Sequence, residues 1–494
     1  MDYPILTVTT FLPVVGAVLI LLLGSERLAR WIALATTLAA LSVAALLYWK
    51  FNPSSTGLQL EDFAEWIPMW NITYRVGVDG ISLPFILLAA VLSVLCVGAS
   101  WTAIRTRERE FYAALLFAET AMIGLFAAAN LFLFYVFWEL MVVPLFLLIG
   151  IWGGPNRVFA AVKFLLFTLA GSVMMLVGMI ALYQATPELA DRPYGMLDFE
   201  VLATTSLPPG LQAWLFVAFL AAFAVKVPMF PVHTWLPDAH TEAPTAGSVI
   251  LAGILLKMGA YGFLRVSLPI LPHAVQRFIT PMLVVSVVAI VYGAYVTLAQ
   301  TDIKRLIAYS SVSHMGFVTL GIFTGTQSGV EGAILQMINH GIISAALFLC
   351  VGMIYERTHT REIKDYGGVA KVAPGYAIFL ALFCLAATGF PGLNSFIGEF
   401  LIIGAAFDTQ SWLGAMAIWG VVLGTIYLFW LYYRVVMGEL NPGLKGLPIE
   451  LNAREVLTLA PLAFLAIYLG LYPECVLAFL HVPVAELLTH GATP

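Results

Sequence analysis

Long apolar runs, separated by short polar or Pro/Gly-rich joints, follow one another along almost the whole chain. A bilayer core of about 30 Å needs about 20 helical residues to cross it. The pattern therefore predicts an all-α polytopic membrane protein of 494 residues in a single membrane domain. The fourteen predicted spans are Tyr3–Gly24, Trp31–Trp49, Ile81–Trp101, Tyr112–Asn130, Leu131–Trp152, Ala160–Gln184, Leu211–Phe230, Pro244–Val266, Phe278–Ala299, Lys304–Phe323, Glu331–Tyr355, Pro374–Phe407, Trp412–Met437 and Val456–Phe479.

Lysine and arginine indicate how these spans are oriented. Of the 23 basic residues, an N-terminus on the outside places 16 in inside loops and 5 in outside loops. Inside loops of membrane proteins are the more basic ones, so both termini are predicted to lie outside. The N-terminus carries Asp2 in place of a basic region, and Tyr3–Gly24 is long enough to span. We therefore interpret it as an uncleaved first helix rather than a signal peptide.

Composition narrows the class of protein further. Apolar residues make up 61% of the chain and charged residues 10%, well below the roughly 25% charged residues of an average soluble domain. The net charge is −5 and there is no basic tract, so nucleic acid is not an expected partner. The four cysteines lie in apolar runs without a Cys-x-x-Cys spacing, which gives no zinc or iron–sulfur signature. The longer outside loops, 51–79 and 185–210, are predicted to be surface caps.

Ionisable residues stand inside the predicted spans, where a charge is expensive. Each is a functional hypothesis by default, and the seven are Glu119, Glu139, Lys226, Lys257, His314, His340 and Glu399. The alternative is that each is a packed polar residue that holds helices together. Two lysines in separate helices argue against this alternative, because a buried unpaired ammonium is too costly to keep for packing alone. Burial favours loss of the lysine proton and a nearby carboxylate opposes it, so these residue types suit proton transfer.

Two of the predicted spans carry a helix break close to a buried charge. Lys226 precedes Pro228, which removes a backbone hydrogen bond, and Gly389–Gly392 precedes Glu399. The two breaks fall in the seventh and twelfth spans, an odd number of spans apart, so the chain directions there are opposite. This predicts two inverted five-helix halves, residues 112–266 and 278–437, with a site near the middle of the membrane. A simple packing kink remains the alternative for either break alone.

Other kinds of chemistry lack support in the sequence. His233 and His240 are seven residues apart with a proline between them, a poor spacing for zinc, so no metal site is predicted. There is no nucleotide-binding glycine loop, and no haem or cluster ligand set. Moving one charge against 100 mV needs about 2.3 kcal/mol. A partner or a second ion gradient must therefore drive any transport.

Four long motifs carry a resemblance to a known family. Leu133–Leu140, Lys226–His240, Glu242–Ser248 with its continuation to Arg265, and Asp302–His314 resemble the antiporter-like membrane chains of proton-pumping NADH:quinone oxidoreductase, respiratory complex I. The resemblance covers essentially the whole chain and is greatest to the branch called chain M, or chain 4 in mitochondria. The fold that it implies has fourteen helices with two inverted five-helix units.

The resemblance also implies roles for individual residues. Glu139 and Lys226 match the Glu–Lys pair of the first half-channel, Lys257 the central lysine and His340 the bridging histidine. Glu399 matches the output residue, where the sister chains usually have lysine. Three residues are secondary candidates of the relay: Glu119, His314 and His233.

The family implies that redox chemistry takes place elsewhere. NADH, FMN, iron–sulfur clusters and quinone are expected in other subunits, with no cofactor on this chain. The expected partners are the sister antiporter-like chains, indirectly a peripheral redox arm, and the lipid of a bacterial inner membrane. A cation/proton antiporter subunit and the membrane subunit of a hydrogenase-type complex share this fold and stay open as alternatives. Glu399 and Thr241–Ser248 favour the oxidoreductase.

Overall fold

The computed structural model describes residues 4–23, 25–187 and 194–492, most of them helical. The helices are α1 Ile5–Leu23, α2 Glu26–Lys50, α3 Leu83–Ala103, α4 Glu108–Ala127, α5 Leu131–Leu140, α6 Val142–Trp152, α7 Arg157–Ala185, α8 Phe199–Ala203, α9 Pro209–Lys226, α10 Trp235–Glu242, α11 Thr245–Ile250, α12 Leu256–Gly262, α13 Leu268–Ile270, α14 Pro272–Leu298, α15 Ile303–Phe323, α16 Gln327–Thr358, α17 Pro374–Ala387, α18 Asn394–Thr409, α19 Ser411–Val436, α20 Ala453–Leu471 and α21 Glu474–Ala492. Two π-helical turns, Leu251–Leu255 and Phe263–Ser267, join α11, α12 and α13. The two strands are β1 Gln59–Ile67 and β2 Ile72–Val78.

The predicted membrane architecture is confirmed. Within the described residues, thirteen helical stretches are long and apolar enough to cross a membrane. The predicted twelfth span is divided between α17 and α18, of 14 and 16 residues, so neither half is long enough by itself. Counting this pair as one span gives the fourteen that the apolar runs predict. The breaks of the seventh and twelfth spans are also present, at 227–234 and 388–393.

The joints between spans gather at two ends of the bundle, as their predicted alternation requires. At one end, which we call the hairpin face, β1 and β2 pair antiparallel, and Ala129 donates its N–H to the Arg75 carbonyl of β2. At the other end, the basic face, Gly154 donates to the Glu242 carbonyl and Gly368 to the Met437 carbonyl. Joints that are far apart in sequence therefore meet only others from the same side.

The joint at Asn130, within the most continuous apolar stretch, is stabilised by a side-chain cap. The side-chain oxygen of Asn130, Oδ1, accepts the Leu133 N–H at 2.7 Å and so satisfies a backbone donor in the first turn of α5. Its amide nitrogen donates to the Thr73 carbonyl of β2, also at 2.7 Å. A single asparagine thus starts a helix and fastens it to the hairpin, which explains why the chain turns here without a charged or Pro/Gly-rich linker.

The two long loops that were predicted to lie outside cover the hairpin face together, although the strands in the first were not predicted. Arg75 of β2 is 1% exposed and pairs with Glu61 at 2.7 Å and with Glu200 at 3.0 Å. Its guanidinium also lies 3.5 Å from the ring centroid of Tyr194. A buried guanidinium needs such partners, since an unpaired charge there would be strongly destabilising. The pairing of Arg75 with Glu200 therefore ties the second loop to the first.

The predicted last span, Val456–Phe479, is wrong at its end. The helix α20 stops at Leu471, because Pro473 disfavours helical backbone at Tyr472. A separate helix, α21, follows along the hairpin face. Phe479 stacks on Phe51 at the end of α2, with ring centroids 5.4 Å apart. The chain therefore ends as a helix that covers the ends of other spans.

The carboxyl group of Asp198 is completely buried beside the hairpin and should make folding pH-dependent. Its pKa is raised to about 7 by burial, which the nearby Arg75 guanidinium only partly offsets. The pKa of the unfolded group is about 4. Since the folded pKa is the higher one, the wild-type protein loses stability as pH rises between these two values.

We expect Asp198→Asn to remove this loss. The variant should melt at a higher temperature than the wild type at pH 8 and show a much smaller difference at pH 5. Melting temperatures of the purified protein in detergent across this range measure the effect. Asp408→Asn, at an exposed position, is the matched control. A difference between Asp198→Asn and wild type that does not change with pH would contradict the assignment.

Candidate proton-transfer site

The first helix break places Lys226 at the last position of α9, and neighbouring side chains satisfy the backbone that the break leaves free. Met229 donates its N–H to the Ala224 carbonyl at 2.7 Å, across the position of the proline. The Trp235 indole donates to the Val225 carbonyl at 2.9 Å. Unpaired carbonyls at membrane depth would each cost several kcal/mol. Trp235, which the sequence did not single out, therefore stabilises the broken helix around Lys226.

Lys226 is buried against an aromatic ring rather than against a carboxylate. Its Nζ lies 4.5 Å from the ring centroid of Trp138 and donates to the Trp138 carbonyl at 3.4 Å. Glu139, the next residue, makes no ion pair with Lys226 within 4.0 Å, and its buried Oε1 has no hydrogen-bond partner among the described residues. Both members of the predicted pair therefore adjoin Trp138, Lys226 by contact and Glu139 in sequence, but they are not bonded to each other.

Lys257 is completely buried and reaches the eleventh span directly. It lies in α12, just after the π-helical turn Leu251–Leu255, a local widening that is frequent at functional sites. Its Nζ lies 2.7 Å from Nδ1 of His340 on α16 and donates to the Ala252 carbonyl. The structure therefore joins two of the predicted relay residues, 83 positions apart, by one hydrogen bond.

The imidazole of His340 extends this contact towards the tenth span. Its Nε2 lies 3.1 Å from the hydroxyl oxygen of Ser311, and its ring centroid lies 5.6 Å from that of His314. A cavity of about 10 Å³ adjoins the two histidines. That volume is close to the minimum that a single water needs, and the lining offers it polar partners. The residues that line it are Ile307, Ser310, His314, Gln336, His340, Ile343, Ser344, Leu347, Ala387 and Ser395.

Glu399 contacts two of the residues that line this cavity. The Glu399 Oε1 is 3.6 Å from Nδ1 of His314 and accepts a hydrogen bond of 3.1 Å from the Gln336 amide. Sequence analysis missed Gln336. A signal was available, because Gln336 precedes His340 by four residues and so lies on the same face of α16.

The second helix break is built around Glu399. Gly389 has a φ of +69°, the left-handed region that favours glycine. A Cβ atom at this position would lie 2.5 Å from Glu399 Oε2. The break therefore places the backbone of Gly389, which has no side chain, next to the Glu399 carboxylate, between the end of α17 and the start of α18.

Some of the predicted residues lie apart from this cluster. Glu119 is buried in α4, and neither of its carboxylate oxygens has a hydrogen-bond partner among the described residues. His233 packs against Phe230 and Tyr292, with ring centroids 5.9 and 5.4 Å away. In the described part of the chain no three His, Cys, Asp or Glu side chains are grouped so that they could hold a metal ion.

Some of the predicted relay residues are therefore linked by direct contacts, and others are not. Lys257 and His340 are in direct contact, and Glu399 contacts His314 and Gln336, which line the same cavity as His340. Between Lys226 and Lys257 the structure shows no hydrogen bond. Basic, neutral and acidic groups in series inside apolar surroundings can pass a proton by general acid–base steps, with water between those that do not touch.

Comparison with known proteins identifies the family to which the chain belongs. A model of the transmembrane family "NADH:quinone oxidoreductase/Mrp antiporter" matches residues 128–426. The chain belongs to this family of membrane proteins, and within it to the subunit M, or chain 4, branch.

Individual relatives match over nearly the full length. The chain is 46% identical to NADH-quinone oxidoreductase subunit M of Rhodobacter capsulatus, over 98% of this chain and 96% of that protein. It is 42% identical to NADH-ubiquinone oxidoreductase chain 4 of Arabidopsis thaliana, over 97% and 96%. Among solved structures, a chain of respiratory complex I from Thermus thermophilus with bound NADH superposes with a TM-score of 0.88 at 31% identity, over 98% and 99%.

The hydrogen bond from Trp235 should matter for stability. We expect Trp235→Phe to leave the Val225 carbonyl without its donor and to lower the free energy of unfolding by about 1–3 kcal/mol. Trp214→Phe, on α9 at a position 77% exposed, is the matched control and should have little effect. Thermal unfolding of both variants in detergent measures this. Equal melting temperatures for the two variants would contradict the role given to Trp235.

Proposed function

We propose that this chain is a proton-translocating membrane subunit of a NADH:quinone oxidoreductase. The observation that carries the proposal is the buried series Lys257–His340–His314–Glu399, which crosses from α12 through α16 and α15 to α18 within a single membrane domain. A series of titratable groups at this depth is expensive unless it is used. The relatives at 42–46% identity are named as subunits of this oxidoreductase, which supports the assignment.

The relay begins, in this proposal, at Glu139 and Lys226. When Glu139 is close to Lys226, its charge holds the proton on the lysine, and when it moves away, burial in apolar surroundings favours release. The Trp138 ring and carbonyl stabilise the ammonium in the absence of a direct ion pair. The proton then passes through water to Lys257, by hydrogen bond to His340, and across the cavity to Glu399.

The two halves of the relay correspond to the two inverted units. Residues 112–266 hold Glu139, Lys226 and Lys257, and residues 278–437 hold His340 and Glu399. In this proposal the first half takes up protons and the second releases them. Glu119 and His233 lie outside the connected series and are secondary members.

The energy comes from partner subunits. Electron transfer from NADH to quinone takes place there, on FMN and iron–sulfur clusters, and this chain performs no redox chemistry. Its direct partners in this proposal are sister antiporter-like membrane chains, which pass the movement of charge along the membrane. The basic face lies on the inside of a bacterial inner membrane and the hairpin face outside, because lysines and arginines concentrate on the basic face.

Replacing a relay residue should uncouple proton movement from electron transfer. A positioned general acid or base usually contributes roughly 10²–10⁴-fold to a proton-transfer rate. We therefore expect Glu139→Ala and Lys226→Ala to reduce proton transfer through this chain to about 1% or less. The measurement is proton uptake per NADH oxidised in inverted membrane vesicles, after native gels confirm that the complex assembles.

The control is Lys371→Ala, the same substitution at an exposed position of the basic face. It should leave proton uptake per NADH unchanged. Normal pumping in assembled Glu139→Ala and Lys226→Ala variants would refute the proposed relay.

Mass spectrometry of the gently purified complex tests the partners, since flavin and iron–sulfur subunits are expected. Co-purification of small membrane chains alone would indicate a cation/proton antiporter subunit.

A further inference from the structure

Gln336 is a buried polar residue with one end bonded and the other free. Its side chain is buried on α16, and its Nε2 donates to Glu399 Oε1 at 3.1 Å. The amide oxygen at the other end, Oε1, has no hydrogen-bond partner among the described residues. A buried acceptor without a donor is costly, so an unpaired oxygen beside a titratable carboxyl group calls for an explanation.

Close packing of α16 against α18 fixes this contact. A Cβ atom at Gly398 would lie 2.6 Å from Gln336 Oε1, and one at Gly332 would lie 3.1 Å from the Gly398 carbonyl oxygen. Small residues allow two helices to approach this closely in a membrane. The two glycines therefore allow Gln336 to lie against Glu399.

An amide matches both forms of a carboxyl group. A carboxylate only accepts hydrogen bonds, whereas a carboxylic acid also has an O–H to donate. The NH₂ end of Gln336 suits the first form and its oxygen suits the second. A half turn about the Cγ–Cδ bond of Gln336 exchanges the positions of the amide nitrogen and oxygen without moving either helix.

We propose that Gln336 is a positioning residue that serves Glu399 in both protonation states. With Glu399 ionised, the Gln336 amide donates to the carboxylate, as the structure shows. With Glu399 protonated, the amide turns and its oxygen accepts from the carboxylic O–H. This inference deepens the proposed function and rests on it, because it assumes that Glu399 gains and loses a proton in each cycle.

The proton balance of the step is simple. The proton leaves a protonated His314, directly or through a water in the adjoining cavity, and binds a carboxylate oxygen of Glu399. His314 becomes neutral imidazole and Glu399 becomes a neutral acid. Release later returns Glu399 to the carboxylate, with the proton passing to water towards the hairpin face, and the amide turns back.

The groups that face Glu399 come from each neighbouring element. His314 on α15 and buried Tyr427 on α19 are the titratable side chains beside it. His340 on α16 lines the same cavity as Gln336. The break after α17 contributes the backbone at Gly389, and α20 packs through Gly470 against backbone at Gly392. Of these neighbours, Gln336 alone carries a side-chain amide, which has a hydrogen-bond donor at one end and an acceptor at the other.

The test is Gln336→Met, which keeps the length of the side chain and removes both ends of the amide. A hydrogen bond to a charged acceptor is stronger than one to a neutral group, so its loss favours the protonated form of Glu399. Release then requires a higher pH. We expect proton uptake per NADH to fall and its pH dependence to move upward by roughly one pH unit. The measurement uses the assembled complex in inverted vesicles between pH 6 and 9.

Gln327→Met is the matched control, the same substitution near the start of α16, where Gln327 bonds Glu331. It should leave the pH profile unchanged. Gln336→Glu, which preserves size and polarity, keeps the test open if the methionine variant does not assemble. A second carboxyl group there should move the profile upward as well, because two neighbouring carboxylates resist joint ionisation.

The outcomes separate this inference from the proposed function. A wild-type pH profile and normal pumping in Gln336→Met, together with loss of pumping in Lys257→Ala, would overturn the role of Gln336 alone. Lower pumping at every pH without a shift in the profile would also overturn it, since a packing role predicts that result. Normal pumping in both variants would overturn the proposed function and this inference with it.

Discussion

The cost of burying an amine in apolar surroundings governs the centre of this protein. Lys257 is completely enclosed, and its Nζ has His340 and the Ala252 carbonyl as hydrogen-bond partners. A lysine at the centre of a membrane helix costs about 2.5–3.5 kcal/mol even on the most permissive scale. The site offers this lysine an imidazole in place of a carboxylate. A carboxylate partner would hold the proton on the lysine, and no described carboxylate lies within ion-pair distance of it.

Both helix breaks follow from the need to bring polar groups together at this depth. At the first, the carbonyl that the break frees is satisfied by Trp235, and the end of α9 presents Lys226 to the ring of Trp138. At the second, Gly389 brings backbone against the carboxylate of Glu399. Proline produces one break and glycine the other. In both cases an ionisable side chain lies beside backbone groups that regular helical hydrogen bonds do not satisfy.

The two faces of the bundle differ in how their charged side chains are stabilised. On the hairpin face, Arg75 is buried and balanced by Glu61 and Glu200, which joins two long loops into one cap. Most lysines and arginines instead lie on the basic face, where water and lipid headgroups can solvate them. The hairpin face is therefore held by specific ion pairs and by α21.

The number of spans, their alternation and the positions of the two breaks could be read from the sequence, because each depends on hydrophobic length or on proline and glycine at one place in the chain. The same reasoning found Lys226, Lys257, His340 and Glu399, since any ionisable residue in an apolar run is conspicuous. It missed Gln336 and Trp235, whose importance depends on what they touch 63 and 10 positions away. It also gave Glu139 and Lys226 as a pair, and the structure adds the contact of Lys226 with Trp138, the residue before Glu139. Local apolar length determines where helices form, but only tertiary packing decides which polar groups come within 3 Å of each other, because those contacts join distant parts of the chain.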